Sequence, residues 1–153
     1  MMNQLTRTLC TVSAILMTLA ACGEPPTEPE AELRAWVAAG VKAAENKERR
    51  NLVGMISESY ADGRGNERSD IENLLRLYFL RQNNIRLLPK IEEIMVYGDS
   101  AAKIVTTVGM AGTNDGVLGF SADAYRFELE LEKDGDDWQL IAARWGELGD
   151  EIR

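Results

Sequence analysis

The sequence predicts an α+β domain, with N-terminal helices packed on a curved antiparallel sheet. Three observations predict it. Apolar residues recur at helical spacing from Leu33 to Phe79. From Ile85 onward they recur at every second residue, as on strands with one buried face. Turn residues punctuate the second half at Gly98-Asp99-Ser100 and Asp134-Gly135-Asp136-Asp137, which makes that half a meander.

The first helix is expected over about 29–46. Thr27-Glu28-Pro29-Glu30 has capping-box spacing, with proline in the first turn where its missing N–H costs no hydrogen bond. Leu33, Trp36, Val37, Gly40, Val41 and Ala44 then mark one face. A polar break, Asn46 to Arg50, leads to a short second helix carrying Leu52, Val53, Met55 and Ile56. Ser57 to Arg68 reads as a loop. Ser69-Asp70-Ile71-Glu72 is a second capping box and opens a third helix with Ile71, Leu74, Leu75, Tyr78 and Phe79 on one face. Asn83-Asn84 ends it.

Ile85–Tyr97 reads as one long strand, and Pro89 inside it marks an edge or a bulge. A second strand runs through Ala102, Ile104, Thr106, Val108 and Met110. In a third, Tyr125, Phe127, Leu129 and Leu131 alternate with Arg126, Glu128, Glu130 and Glu132. Trp138 to Trp145 is the last. Residues 113–122, TNDGVLGFSA, are long for a hairpin loop, which usually takes about 2–5 residues. Val117, Leu118 and Phe120 make that tip apolar. It reads either as a lid on a cavity, as a sticky edge for a partner, or as a segment tucked into its own core.

The chain has 153 residues, which suits one domain. Seventeen Lys and Arg stand against 25 Asp and Glu, for a net charge of −8. Such a balance argues against nucleic acid and against a polybasic grip on anionic lipid. Histidine is absent from the sequence. That removes the commonest general base and metal ligand, together with Ser-His and Cys-His nucleophile systems.

Residues 1–21 read as an export signal. Arg7 supplies a positive start, and the apolar run from Leu9 to Leu19 is shorter than the roughly 20 residues a bilayer span needs. The run ends in Leu19-Ala20-Ala21-Cys22, which resembles the lipobox of bacterial lipoproteins. The resemblance implies cleavage before Cys22, lipid on its thiol and an acylated new amine. Only Cys10 and Cys22 occur, and Cys10 leaves with the signal, so lipid accounts for the one remaining thiol. Gly23 stands where the lipoprotein family uses Asp for inner-membrane retention. The expected address is therefore the bacterial envelope, at the outer membrane facing the periplasm. Residues 23–30, GEPPTEPE, favour extended polyproline II and tether the domain over roughly 25 Å. The folded domain is expected over 31–153.

The order of elements and the ending YRFELELEKDGDDWQLIAARW resemble the nuclear transport factor 2-like superfamily, which includes the SnoaL-like proteins. The resemblance covers about 31–147. It implies a cystatin-like cone, with a curved sheet wrapped on helices and a cavity at the wide end. Some members are isomerases or dehydratases; many bind, dimerise or serve as accessory domains. The residues expected near such a cavity are Tyr60, Asp62, Arg64, Tyr78 and Arg144, and these are the candidate ligand contacts. Trp36, Arg81, Tyr125 and Trp145 fall in the same region. An isomerase-like centre would pair Asp62 as base with Tyr78 as donor. Trp36 and Tyr78 also suit an apolar core. Arg144 either pairs with a Glu on the neighbouring strand or meets an anionic ligand. In the loop Tyr60 to Arg68, Asp62, Arg64 and Asn66 alternate like the start of a calcium loop, but an arginine at the third position is wrong for an EF-hand. No metal or cofactor is expected. The leading expectation is a non-catalytic envelope lipoprotein that binds a small apolar ligand or a protein partner, compatible with a homodimer. The rival is a small isomerase or dehydratase.

Overall fold

A computed structural model describes residues 27–113 and 120–152. The export signal, Cys22, the first half of the proline tether and the apolar tip at Val117 and Leu118 lie outside the described residues, and Glu28 to Glu30 of the expected extended tether are already helical. Three helices precede four strands: α1 (Glu28–Glu45), α2 (Arg49–Gly54), α3 (Arg68–Arg81), β1 (Asn84–Tyr97), β2 (Ala101–Thr113), β3 (Phe120–Asp134) and β4 (Asp137–Glu147). The strands form one antiparallel sheet in the order β1-β2-β3-β4. The helices lie on one face of this curved sheet, which is the α+β cone that the sequence predicts.

α1 begins as its sequence dictates. Thr27 adopts an extended backbone and its hydroxyl accepts from the Glu30 N–H at 3.4 Å, with Pro29 inside the first turn. Leu33 and Val37 are buried against Ala102, Ile104, Leu131 and Trp138. Trp36 is half-buried on this cluster, and its indole N–H donates to the Trp138 carbonyl at 3.0 Å. The Trp138 indole in turn donates to Glu32 at 2.8 Å, and Lys133 meets the same carboxylate at 2.9 Å.

α3 starts two residues earlier than the expected cap at Ser69. Glu67 is the N-cap, and the Asp70 carboxylate reaches back to accept from the Glu67 N–H at 3.0 Å. Arg68 ties this start to α2: its guanidinium donates to the Val53 carbonyl at 3.1 and 3.3 Å and pairs with Glu58. Cross-links of this kind hold a helix that buries little, for no residue of α3 is buried.

Pro89 does lie on an edge strand, and β1 also carries a bulge, between Ile91 and Glu93. A second bulge makes Ile141 the extra residue of β4, since Glu130 pairs with Ala142 but Leu131 pairs with Leu140. Gly98 and Gly135 turn the first and the last of the three hairpins at φ of 63° and 65°, a region that favours glycine. The long loop expected over 113–122 is shorter: Thr113 pairs with Phe120, so β3 already includes Phe120, Ser121 and Ala122. On the outer face Glu128 joins Lys103 at 2.9 Å and Arg144 at 2.5 Å, and Glu92 joins Arg126 at 2.7 Å.

Candidate functional site

The cavity of the cone lies at its wide end, between α3 and the concave face of the sheet, and has a volume of about 630 Å³. That is within the usual range for small-molecule sites. Ile71, Leu74, Leu75 and Phe79 line it from α3. Ile85, Leu87, Met110, Phe127, Leu129 and Leu140 line it from the sheet. Alternation explains the sheet wall. Cross-strand partners point to one face, and Leu87 pairs with Met110 while Leu129 pairs with Ile104. Polar groups enter through Tyr60, Tyr78, Tyr125, Trp145 and Arg81, and the described lining contains no carboxylate.

The five candidate contacts do not converge. Tyr60 and Tyr78 line the cavity; Asp62, Arg64 and Arg144 do not. Tyr60 is buried, and its hydroxyl donates to Asp62 at 3.4 Å. Burial, reinforced by the Asp62 charge, raises the Tyr60 pKa far above that of free tyrosine, so the hydroxyl stays protonated. Asp62 is fully engaged elsewhere. Its carboxylate accepts from the Arg64 N–H, the Asn66 N–H and the Asn66 side-chain amide, each at 2.8 Å. Partial burial works to raise its pKa, but the Asn66, Arg64 and Tyr60 hydrogen bonds outweigh that and hold it below the ordinary value. The carboxylate is a turn-builder for residues 62–66, so it is not placed as a cavity base beside Tyr78. Arg64 donates to the Trp145 carbonyl at 2.8 Å and stacks 4.6 Å from the Trp145 ring, on the back of the cavity wall.

Arg144 lies on the opposite face of the sheet. The bulge at Ile141 explains this. It shifts the parity of β4, so that Leu140, Ala143 and Trp145 line the cavity while Arg144 turns outward to Glu128. Without the bulge Arg144 would share the face of Leu140. The register between β3 and β4 therefore selects the ion pair over ligand contact.

One cluster at the mouth was not read from the sequence. Asp123 is paired with Met110 and lies two residues before Tyr125, on the cavity face. Tyr125 donates to Glu147 at 3.4 Å. Burial raises the pKa of both Tyr78 and Tyr125. The Asp123 charge adds to this at Tyr78, and the Glu147 and Asp123 charges add to it at Tyr125. The period-two pattern of β3, continued backward by one step from Tyr125, would have found Asp123. Among the described residues no group of three or more Cys, Asp and Glu is placed to hold a metal ion.

No protein-family model matches the chain, and no curated protein matches it. Solved structures do. A ketosteroid isomerase-like protein from Erwinia carotovora atroseptica superposes with a TM-score of 0.66 at 13% identity, over 82% of this chain and 100% of its own. A candidate scytalone dehydratase from Novosphingobium aromaticivorans gives 0.71 at 9% identity, over 77% and 83%. A candidate dehydratase of the nuclear transport factor 2-like family from Streptomyces avermitilis gives 0.66 at 10%, over 77% and 95%. The fold is the nuclear transport factor 2-like cone. At these identities the likeness is one of fold alone, and the lining of this cone has to be read on its own residues.

Proposed function

We propose that this protein is a lipid-anchored envelope protein whose cone binds a small apolar ligand without converting it. The observation that carries this reading is the lining of the 630 Å³ cavity: apolar walls from α3 and the sheet, a few protonated tyrosine hydroxyls, and no carboxylate among the described lining residues. General acid/base chemistry needs a positioned group that can take a proton. The anchoring rests on Leu19-Ala20-Ala21-Cys22 and the tether behind it. No helix among the described residues is long and apolar enough to cross a membrane, so attachment in this reading falls to the lipid. An outer-membrane address follows from Gly23 after the cysteine. A protein partner or a second copy would meet a sheet face laced with ion pairs, which makes a greasy sheet-to-sheet homodimer a poor fit.

The test has two arms. Titration with the neutral dye Nile red should give saturable binding, weakened at least about tenfold by Leu75→Trp, which fills the cavity. Membrane fractionation of Cys22→Ser should show unprocessed chain without lipid. Dye binding that ignores Leu75→Trp, or a Cys22→Ser chain processed and anchored as before, would count against the respective half.

The neighbours described as isomerase-like and as dehydratases favour a second reading, with turnover in the cavity. Asp62 is engaged, so a base would have to come from Asp123 at the mouth. Ligand recovered from the cavity and incubated with the protein separates the readings. Conversion that disappears in Asp123→Asn supports catalysis, and unchanged ligand supports binding.

A further inference from the structure

Arg81 is the one charged residue in the described lining of the cavity. It closes α3, lines the cavity and is exposed, so it sits at the mouth. Most other cations placed near carboxylates are used. Arg49, Arg68, Lys103, Arg126, Lys133 and Arg144 each meet a carboxylate. Arg64 is spent on the Trp145 carbonyl and ring. The Arg81 guanidinium makes no hydrogen bond or ion pair with another described residue. The anions of the mouth are directed at tyrosines: Glu147 accepts from Tyr125, and Asp123 faces Tyr125 and Tyr78.

We propose that the cavity takes an amphipathic monocarboxylate, its apolar body among the α3 and sheet side chains and its carboxylate on the Arg81 guanidinium. This rests on the apolar-ligand reading above and narrows it. An apolar ligand alone would leave this guanidinium without a partner among the described residues. The planar fork of arginine matches a carboxylate with two parallel N–H donors, and such charge-assisted bonds are roughly twice as strong as neutral ones. The net charge of −8 disfavours anions in general. A preference for an anion would therefore be local to Arg81.

Calorimetric titration of the purified full-length protein with decanoate and with decanol at neutral pH tests this. The two probes share a body and differ in the head. The wild type should bind decanoate about tenfold more tightly than decanol. Arg81→Gln should lose that preference, while Arg81→Lys should keep part of it. Glutamine is a good helix former, so the last turn of α3 is expected to survive. Equal binding of both probes by the wild type, or a preference that persists in Arg81→Gln, overturns the carboxylate assignment and leaves the apolar-ligand reading standing. No binding of either probe overturns both.

Discussion

The two ends of the cone are built from the same strands and do different work. At the narrow end α1 lies on the sheet, and Leu33, Ile104 and Leu131 are fully buried. At the wide end α3 faces the same sheet at a distance. It buries no residue, and Leu74 and Leu77 remain 49% and 47% exposed although both line the cavity. An apolar helix face left uncovered beside an apolar sheet face is unused hydrophobic free energy. The difference teaches that the narrow end supplies stability and the wide end keeps a space. What holds α3 off the sheet is polar and peripheral: Arg68 on the Val53 carbonyl, Arg49 on Glu72 at 2.6 Å, and the Asp62 turn that shapes the loop before it.

This contrast predicts a gradient of mutational effects. Leu131→Ala at the narrow end should lower stability by about 2–5 kcal/mol in urea unfolding, because a fully buried leucine leaves a cavity behind. A loss below about 1 kcal/mol would mean that the narrow end does not carry the fold. Asp62→Ala should come next, at about 1–3 kcal/mol, since it strands the Arg64 and Asn66 N–H donors of the turn. The chain should also become easier to cleave by protease between residues 57 and 67. Equal cleavage of variant and wild type would detach the turn from α3.

On the outer face, Glu128→Gln removes the carboxylate shared by Lys103 and Arg144, at roughly 0.5–1 kcal/mol for a half-exposed network. Its pH dependence has a definite sign. The Lys103 hydrogen bond, opposed by burial and helped by Arg144 and Arg126, lowers the Glu128 pKa below its ordinary 4.5. A lowered native pKa contributes stability above the unfolded value and loses it as pH falls through the native one. The gap between wild type and Glu128→Gln should be full at neutral pH and close in acid below 4.5. A gap that widens in acid would reverse the assignment. Leu74→Ala should have the smallest effect on stability, within about 0.5 kcal/mol, because its side chain is half in water. It should nonetheless weaken Nile red binding. A large stability loss there would show α3 to be part of the core.

Much of the fold was legible because periodicity reports burial directly. The alternation of Tyr125, Phe127, Leu129 and Leu131 placed β3, and the helical spacing of Leu33, Trp36 and Val37 placed α1. The start of α3 was less legible, since Ser69-x-x-Glu72 and Glu67-x-x-Asp70 offer competing caps and only packing through Arg68 chooses. Of the site, the tyrosines and Arg81 could be read, and the placing of Asp62, Arg64, Asp123 and Arg144 could not. Arg144 stands two residues after Ala142 and four after Leu140, which puts it inward on any regular strand. One inserted residue, Ile141, puts it outward, and no local signal in the sequence marks that bulge. Asp62 looked available because two of its partners, the Arg64 and Asn66 N–H groups, are backbone and invisible to a reading of side chains. The wide end was legible as a fold and only in part as a binding site. A cavity is a gap between elements, and the sequence describes the elements.

The most direct test isolates the native protein from membranes and identifies by mass spectrometry the small molecules it carries, with Leu75→Trp isolated in parallel. The account predicts an apolar compound in stoichiometric amount on the wild type and its loss from the variant, with both proteins equally folded. No compound on the wild type, or the same compound retained by Leu75→Trp, would contradict it.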